Sequence, residues 1–173
     1  MKKIIYVLLI ILVGSFGAFA QTSATKKTEE KTSTQTATRE KFDPTRNAVE
    51  DLKTAVGKAT KENKRIILDV GGEWCIWCRW MDDYFIKNVD LTKLRDENFV
   101  WLKINMSEDN ENKEVLSKYP AAEGYPHLYV LEKDGTFLHS QGTAELEEGK
   151  SYNKQKFTDF LTKWSPTKVA EIK

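Results

Sequence analysis

The chain has 173 residues, with 27 Lys and Arg against 26 Asp and Glu, and two cysteines. A formal net charge of +1 without any polycationic run gives nucleic-acid binding no electrostatic footing. One cysteine pair is too few for a fold held together by several disulfides.

Met1-Lys2-Lys3 is a short basic start, residues 4–13 form an apolar run, and Ala18-Phe19-Ala20 is a small-x-small cleavage pattern. The run is about ten residues, short of the roughly 20 that span a bilayer. Residues 1–20 therefore read as a signal peptide, and an uncleaved copy would be the one tie to a membrane. The mature chain then begins at Gln21 and is expected in a bacterial periplasm or secreted. In residues 21–42, Thr and Ser alternate with Lys and Glu and almost nothing is apolar. Such a stretch buries too little surface to offset its chain entropy, so it reads as a disordered linker. The remaining 43–173 is one domain's length.

Asp43-Pro44 has the chemistry of a helix start, and Ala48, Leu52, Ala55, Val56 and Ala59 follow at helical spacing up to Asn63. Residues 65–70 are a branched apolar run with the character of a buried strand. A helix is expected over 75–88, with Cys78, Met81, Phe85 and Val89 inward and Asp82 and Ile86 beside them. Strands are expected at 99–104, 127–131 and 136–139, the last two joined by a tight Asp134-Gly135 turn. A short polar helix at 111–118 and an amphipathic one at 152–164 complete the order. Glu145, Glu147 and Glu148 read as a solvated loop. The pattern is α/β: a central mixed sheet, with helices covering both faces.

The chemistry concentrates in Trp74-Cys75-Ile76-Trp77-Cys78. Two thiols at this spacing close a small reversible disulfide. A helix starting at Cys75 sets its sulfur over unpaired N–H groups, which favours thiolate, the species that attacks disulfides. Cys75 is then the partly exposed nucleophile and Cys78 the resolving thiol, with Arg79 adding positive charge. Asp69, in an otherwise apolar strand, is a candidate proton shuttle for Cys78. Trp74 and Trp77 suit an apolar docking surface for peptide-like substrates, while Trp80 and Tyr84 are expected to pack under the first helix. A c-type haem site would need His where Arg79 stands. An inert disulfide and a metal pair are the alternatives, and only His127 and His139 would supply further ligands.

Asp69 six residues before Cys75, Glu73-Trp74-Cys75, Lys103 in the following strand and Gly124-Tyr125-Pro126 before the next resemble the thioredoxin superfamily over residues 64–164. Three departures stand out: Ile76-Trp77 between the cysteines, a helix at the start of the domain, and an extra residue between Tyr119 and Pro126. The resemblance implies a thioredoxin-like fold and a redox disulfide at Cys75 and Cys78. It also implies Lys103 as charge partner of Asp69 and a cis bond before Pro126 that turns the Tyr125 backbone towards an extended substrate. The expected activity is thiol–disulfide exchange on protein or peptide substrates, in the reductase direction, fed by a membrane electron donor and with no cofactor. The alternatives are a periplasmic disulfide oxidase or isomerase, or a non-enzymatic copper- or zinc-binding module using Cys75, Cys78 and His127.

Overall fold

The computed structural model describes residues 39–167, so the signal-peptide reading and most of the expected linker lie outside the described residues. In chain order the elements are α1 (Ala48–Glu62), β1 (Arg65–Gly71), α2 (Ile76–Lys87), α3 (Val89–Asn98), β2 (Phe99–Asn105), α4 (Lys113–Leu116), β3 (His127–Leu131), β4 (Phe137–Gly142), a 3-10 turn (Thr143–Leu146), β5 (Glu147–Glu148), β6 (Ser151–Tyr152) and α5 (Lys154–Trp164).

Strand alternation sets the layers. Along β1, Ile66, Leu68 and Val70 join one core with Ala55 and Ala59 of α1 and Val115 of α4. Ile67 joins another with Met81 and Phe85 of α2, Leu91 of α3 and Phe157 and Leu161 of α5. The strand order is β2-β1-β3-β4. β1 runs parallel to β2 and antiparallel to β3, and β4 is antiparallel to β3. This is the mixed sheet with helices on both faces that the pattern implies. In the β3–β4 turn, Gly135 at φ +91° takes a backbone conformation that a side chain would disfavour.

Several boundaries differ from expectation. Asp43 does not cap α1: its Oδ1 accepts from the Thr45 N–H at 2.8 Å and hydroxyl at 2.7 Å. The cap is Asn47, which accepts from the N–H groups of Val49 and Glu50. The helix expected over 75–88 ends at Asn88 as α2, but an unexpected helix, α3, follows at once, and Val89 is 74% exposed rather than inward. Phe42, assigned by composition to the linker, is 2% exposed. Trp80 and Tyr84 are partly buried and pack against the core formed by α2, α3 and α5, on the opposite sheet face from α1, because they share α2 with Met81 and Phe85. The acidic loop contains the short β5–β6 hairpin, which carries Tyr152 to the underside of Trp77.

Candidate active site

Cys75 is the N-cap of α2, and its Sγ accepts the Cys78 N–H at 3.1 Å. The two residues form a disulfide with Cα atoms 5.3 Å apart. Gly71 makes this possible: a Cβ there would lie 2.5 Å from Cys78 Sγ, so only glycine lets β1 end against the pair. Asp69, two residues earlier, points to the same face of the strand and so lies beneath the disulfide. Cys75 is buried, 5% exposed, not partly exposed as expected. Phe42 packs in the same small cluster as both cysteines, with Trp77 and Tyr125 against it.

Under the pair lies a chain of charges. Asp69 is fully buried, and its Oδ2 accepts from Lys103 Nζ at 2.9 Å and from the Trp101 indole N–H at 3.1 Å. Parallel pairing sets Lys103 directly across from Asp69. Among the described residues, Asp69 Oδ1 has no hydrogen-bond partner. Lys103 Nζ also donates to Asp82 Oδ1 at 2.7 Å. Arg39 continues the chain, donating through Nη1 to Asp82 at 3.2 Å and to Glu73 at 2.9 Å, with a further contact from Nη2 to Glu73. The Phe42 N–H donates to the same carboxylate at 3.0 Å, and Lys103 Nζ sits 4.0 Å from the centre of the Phe42 ring.

These contacts displace proton affinities in opposite senses. Burial raises that of Asp82, and the neighbouring Asp69 charge adds to it; the attraction of Lys103 and Arg39 only partly offsets this. Burial works to lower that of Lys103, but the charges of Asp69 and Asp82 outweigh it and the net direction is upward. The hydrogen bond from Arg39 holds the Glu73 carboxyl below its ordinary range despite partial burial.

Around the disulfide, Trp74 is 60% exposed. Its indole N–H donates to the Met106 carbonyl at 2.8 Å, and its ring meets Tyr125 edge-on at 5.7 Å. An open groove of about 490 Å³ runs beside them, lined by Trp74, Tyr125, Met106, Glu108 and Asp109 among others. The Tyr125–Pro126 peptide is cis. Trp77 is half-buried, edge-on to Trp80 and Tyr152; the apolar side chain exposed between the cysteines is instead Ile76. His127 is buried, with Nε2 2.7 Å from Ser140 Oγ. Among the described residues no three His, Cys, Asp or Glu side chains are grouped to hold an ion.

The structure thus brings together Cys75, Cys78, Asp69, Lys103, Trp74, Tyr125 and Pro126. It adds Arg39, Phe42, Glu73 and Asp82, which sequence reasoning gave no role. Two signals were legible: Asp82 is a charge beside an apolar helical stripe, and Phe42 is the one large apolar residue in the stretch 21–42.

A family model described as thioredoxin-like matches residues 47–133. The thiol:disulfide interchange protein DsbD of Colwellia psychrerythraea is 31% identical over 94 residues, 53% of this chain and 15% of that protein. Spermatogenesis-associated protein 20 of Homo sapiens is 41% identical over 68 residues, 39% of this chain and 9% of that protein. The chain therefore spans a small part of the length of either relative. A solved disulphide isomerase from Xylella fastidiosa Temecula1 is 27% identical with a TM-score of 0.62, covering 70% of this chain and 94% of that one. With its cysteine pair seated at the start of α2, the chain belongs to the thioredoxin-like family.

Proposed function

We propose that the protein is an exported disulfide reductase acting on protein or peptide disulfides. The observation that carries the reading is the Cys75–Cys78 pair at a helix N-cap, packed against Gly71 of the strand that also carries the buried Asp69. In the reduced protein the Cys75 thiolate attacks one sulfur of the substrate disulfide, breaking that bond and releasing the other sulfur as a thiolate. Asp69 takes the Cys78 proton. Cys78 then attacks Cys75 Sγ, which closes the internal disulfide and expels the second substrate thiolate. Two electrons have passed to the substrate, and a dithiol donor, proposed to be membrane-bound, returns them. Lys103 holds Asp69 in place. Trp74 and Tyr125 supply the apolar wall against which an extended segment lies, with the backbone before Pro126 available to pair with it.

Charge supports the reductase direction. Within the cluster Asp69, Asp82 and Glu73 outnumber Lys103 and Arg39, and this surplus negative charge opposes the pull of the α2 N-terminus and of Arg79 towards thiolate, which makes the dithiol the better electron donor. Equilibration in glutathione and dithiothreitol buffers should give a potential near about −270 mV, whereas a value near about −120 mV would make the protein an oxidase. A value near about −180 mV would favour isomerisation, the second reading, supported by the likeness to the Xylella disulphide isomerase.

The basic start, the apolar run and Ala18-Phe19-Ala20 support export. Fractionation of a Gram-negative host should return periplasmic protein whose first residue is Gln21. Intact Met1 in the membrane fraction would instead make the segment a permanent anchor, and intact Met1 in the cytosol would end the export reading.

A further inference from the structure

We propose that Arg39 and Phe42 are positioning residues of the redox site: the segment carrying them seals the Asp69–Lys103–Asp82 cluster from water, so that the charge of the cluster is felt at the Cys75–Cys78 pair. The inference rests on the reading of Cys75 as the attacking thiol and Asp69 as the acid beneath it.

The seal is built from both residues. Phe42 comes from a stretch of otherwise polar composition, yet it is 2% exposed and packed on both cysteines. A Cβ at Gly71 would lie 3.2 Å from its ring, so the ring fills the space against the end of β1. Its face covers the Lys103 ammonium, a contact that gains strength where water is excluded. Lys103 keeps only 6% of its side chain exposed and Asp69 none. Arg39 fastens the segment, gripping Glu73 ahead of α2 and Asp82 within it, while the Phe42 N–H adds a third tie through Glu73.

Dryness decides how far charge reaches. At one separation, a Coulomb interaction at an effective dielectric of about 20 is about fourfold stronger than in water. The charged groups of the cluster are Asp69 on β1, Lys103 on β2, Asp82 on α2, and Glu73 and Arg39 bonded to them; the exposed Arg79 follows Cys78 on α2, and Tyr125 packs against the pair. With the seal in place, removing one carboxylate should be read at the sulfur. With water admitted, most of that influence is screened.

The test follows iodoacetamide alkylation of Cys75 against pH in the reduced full chain, by mass spectrometry. Asp69→Asn removes negative charge, so thiolate becomes easier to form and the alkylation midpoint should fall by about one pH unit. In a Phe42→Ala background the same change should move the midpoint about fourfold less, whereas Phe42→Leu, which keeps an apolar plug, should preserve most of the shift. Arg39→Gln, which releases both anchors, should act like Phe42→Ala, and Arg39→Lys should restore part of the coupling. If Phe42→Ala does not fold, Arg39→Gln carries the same comparison. An Asp69→Asn shift of equal size in all backgrounds overturns the seal and leaves the role of Asp69 standing. No shift even with Arg39 and Phe42 intact overturns the reading of Asp69, and this inference with it.

Discussion

Lys103→Met should lower the unfolding free energy by about 3–5 kcal/mol at neutral pH, as expected when one partner of a buried ion pair is removed. The ammonium is the shared counter-charge of two carboxylates, bonded to Asp69 at 2.9 Å and Asp82 at 2.7 Å. Methionine keeps most of the unbranched apolar stem while losing the ammonium and its contact with the Phe42 ring, so the loss would report charge more than volume. Adding Asp69→Asn and Asp82→Asn to Lys103→Met should recover most of the lost stability, because no uncompensated charge then remains buried. The pH dependence has a definite sign. The Lys103 proton is held more tightly when folded, so its stabilising contribution is complete below the ordinary lysine value of 10.5 and is lost as pH rises through the higher folded value. Asp82 also has a raised proton affinity. The stability associated with its protonation is present below the ordinary 3.8 and fades as pH rises through the folded value. The deficit of Lys103→Met should therefore shrink as pH falls through the raised folded value of Asp82. Urea unfolding at pH 4, 7 and 11 checks all three statements. A deficit below about 1 kcal/mol at neutral pH would mean that the cluster behaves like a hydrated surface pair.

The parts of the fold legible in the sequence are those in which one short-range signal dominates. The branched run of β1 and the Asp134-Gly135 turn each depend on a few adjacent residues, and they emerge where expected. The same holds for the cysteine motif, whose position at a strand-to-helix turn follows from Gly71-Gly72 and the apolar strand before it. What stayed hidden depends on distant partners. α3 has almost no amphipathic pattern of its own: it is anchored by Leu91 and Asn98 and starts where Asn88 turns the chain. β5 and β6 are two residues each and exist through their mutual pairing. Phe42 lies in a polar stretch, and its burial is decided by a gap between Gly71 and the disulfide that only the folded chain creates. Arg39 likewise has meaning only once Glu73 and Asp82, 34 and 43 residues away, converge on it. Composition described this segment by its average, and the exceptions to that average are the residues that touch the site.

Cys75→Ser should reduce disulfide exchange to the uncatalysed rate, and Cys78→Ser should instead trap the enzyme on its substrate. The asymmetry follows from geometry. Cys75 is the N-cap, its sulfur accepting a backbone N–H from the first turn of α2, a position that favours thiolate there over the inner cysteine. Cys78 is fully buried against Gly71, where an external disulfide has no approach. In the Cys78→Ser variant, Cys75 still attacks and forms a mixed disulfide, but nothing within the site attacks Cys75 Sγ to release it. Incubation with a disulfide-containing protein should then yield a covalent adduct on non-reducing gels that dithiothreitol removes. Cys75→Ser should form none. Asp69→Asn should allow the first step but slow release, by about 10²-fold if it acts as the base, so the mixed disulfide should accumulate transiently in a chain that retains both cysteines. The reverse pattern, with adducts trapped by Cys75→Ser and absent with Cys78→Ser, would exchange the two roles and put the nucleophile at Cys78, the more deeply buried of the two and the one packed against Gly71.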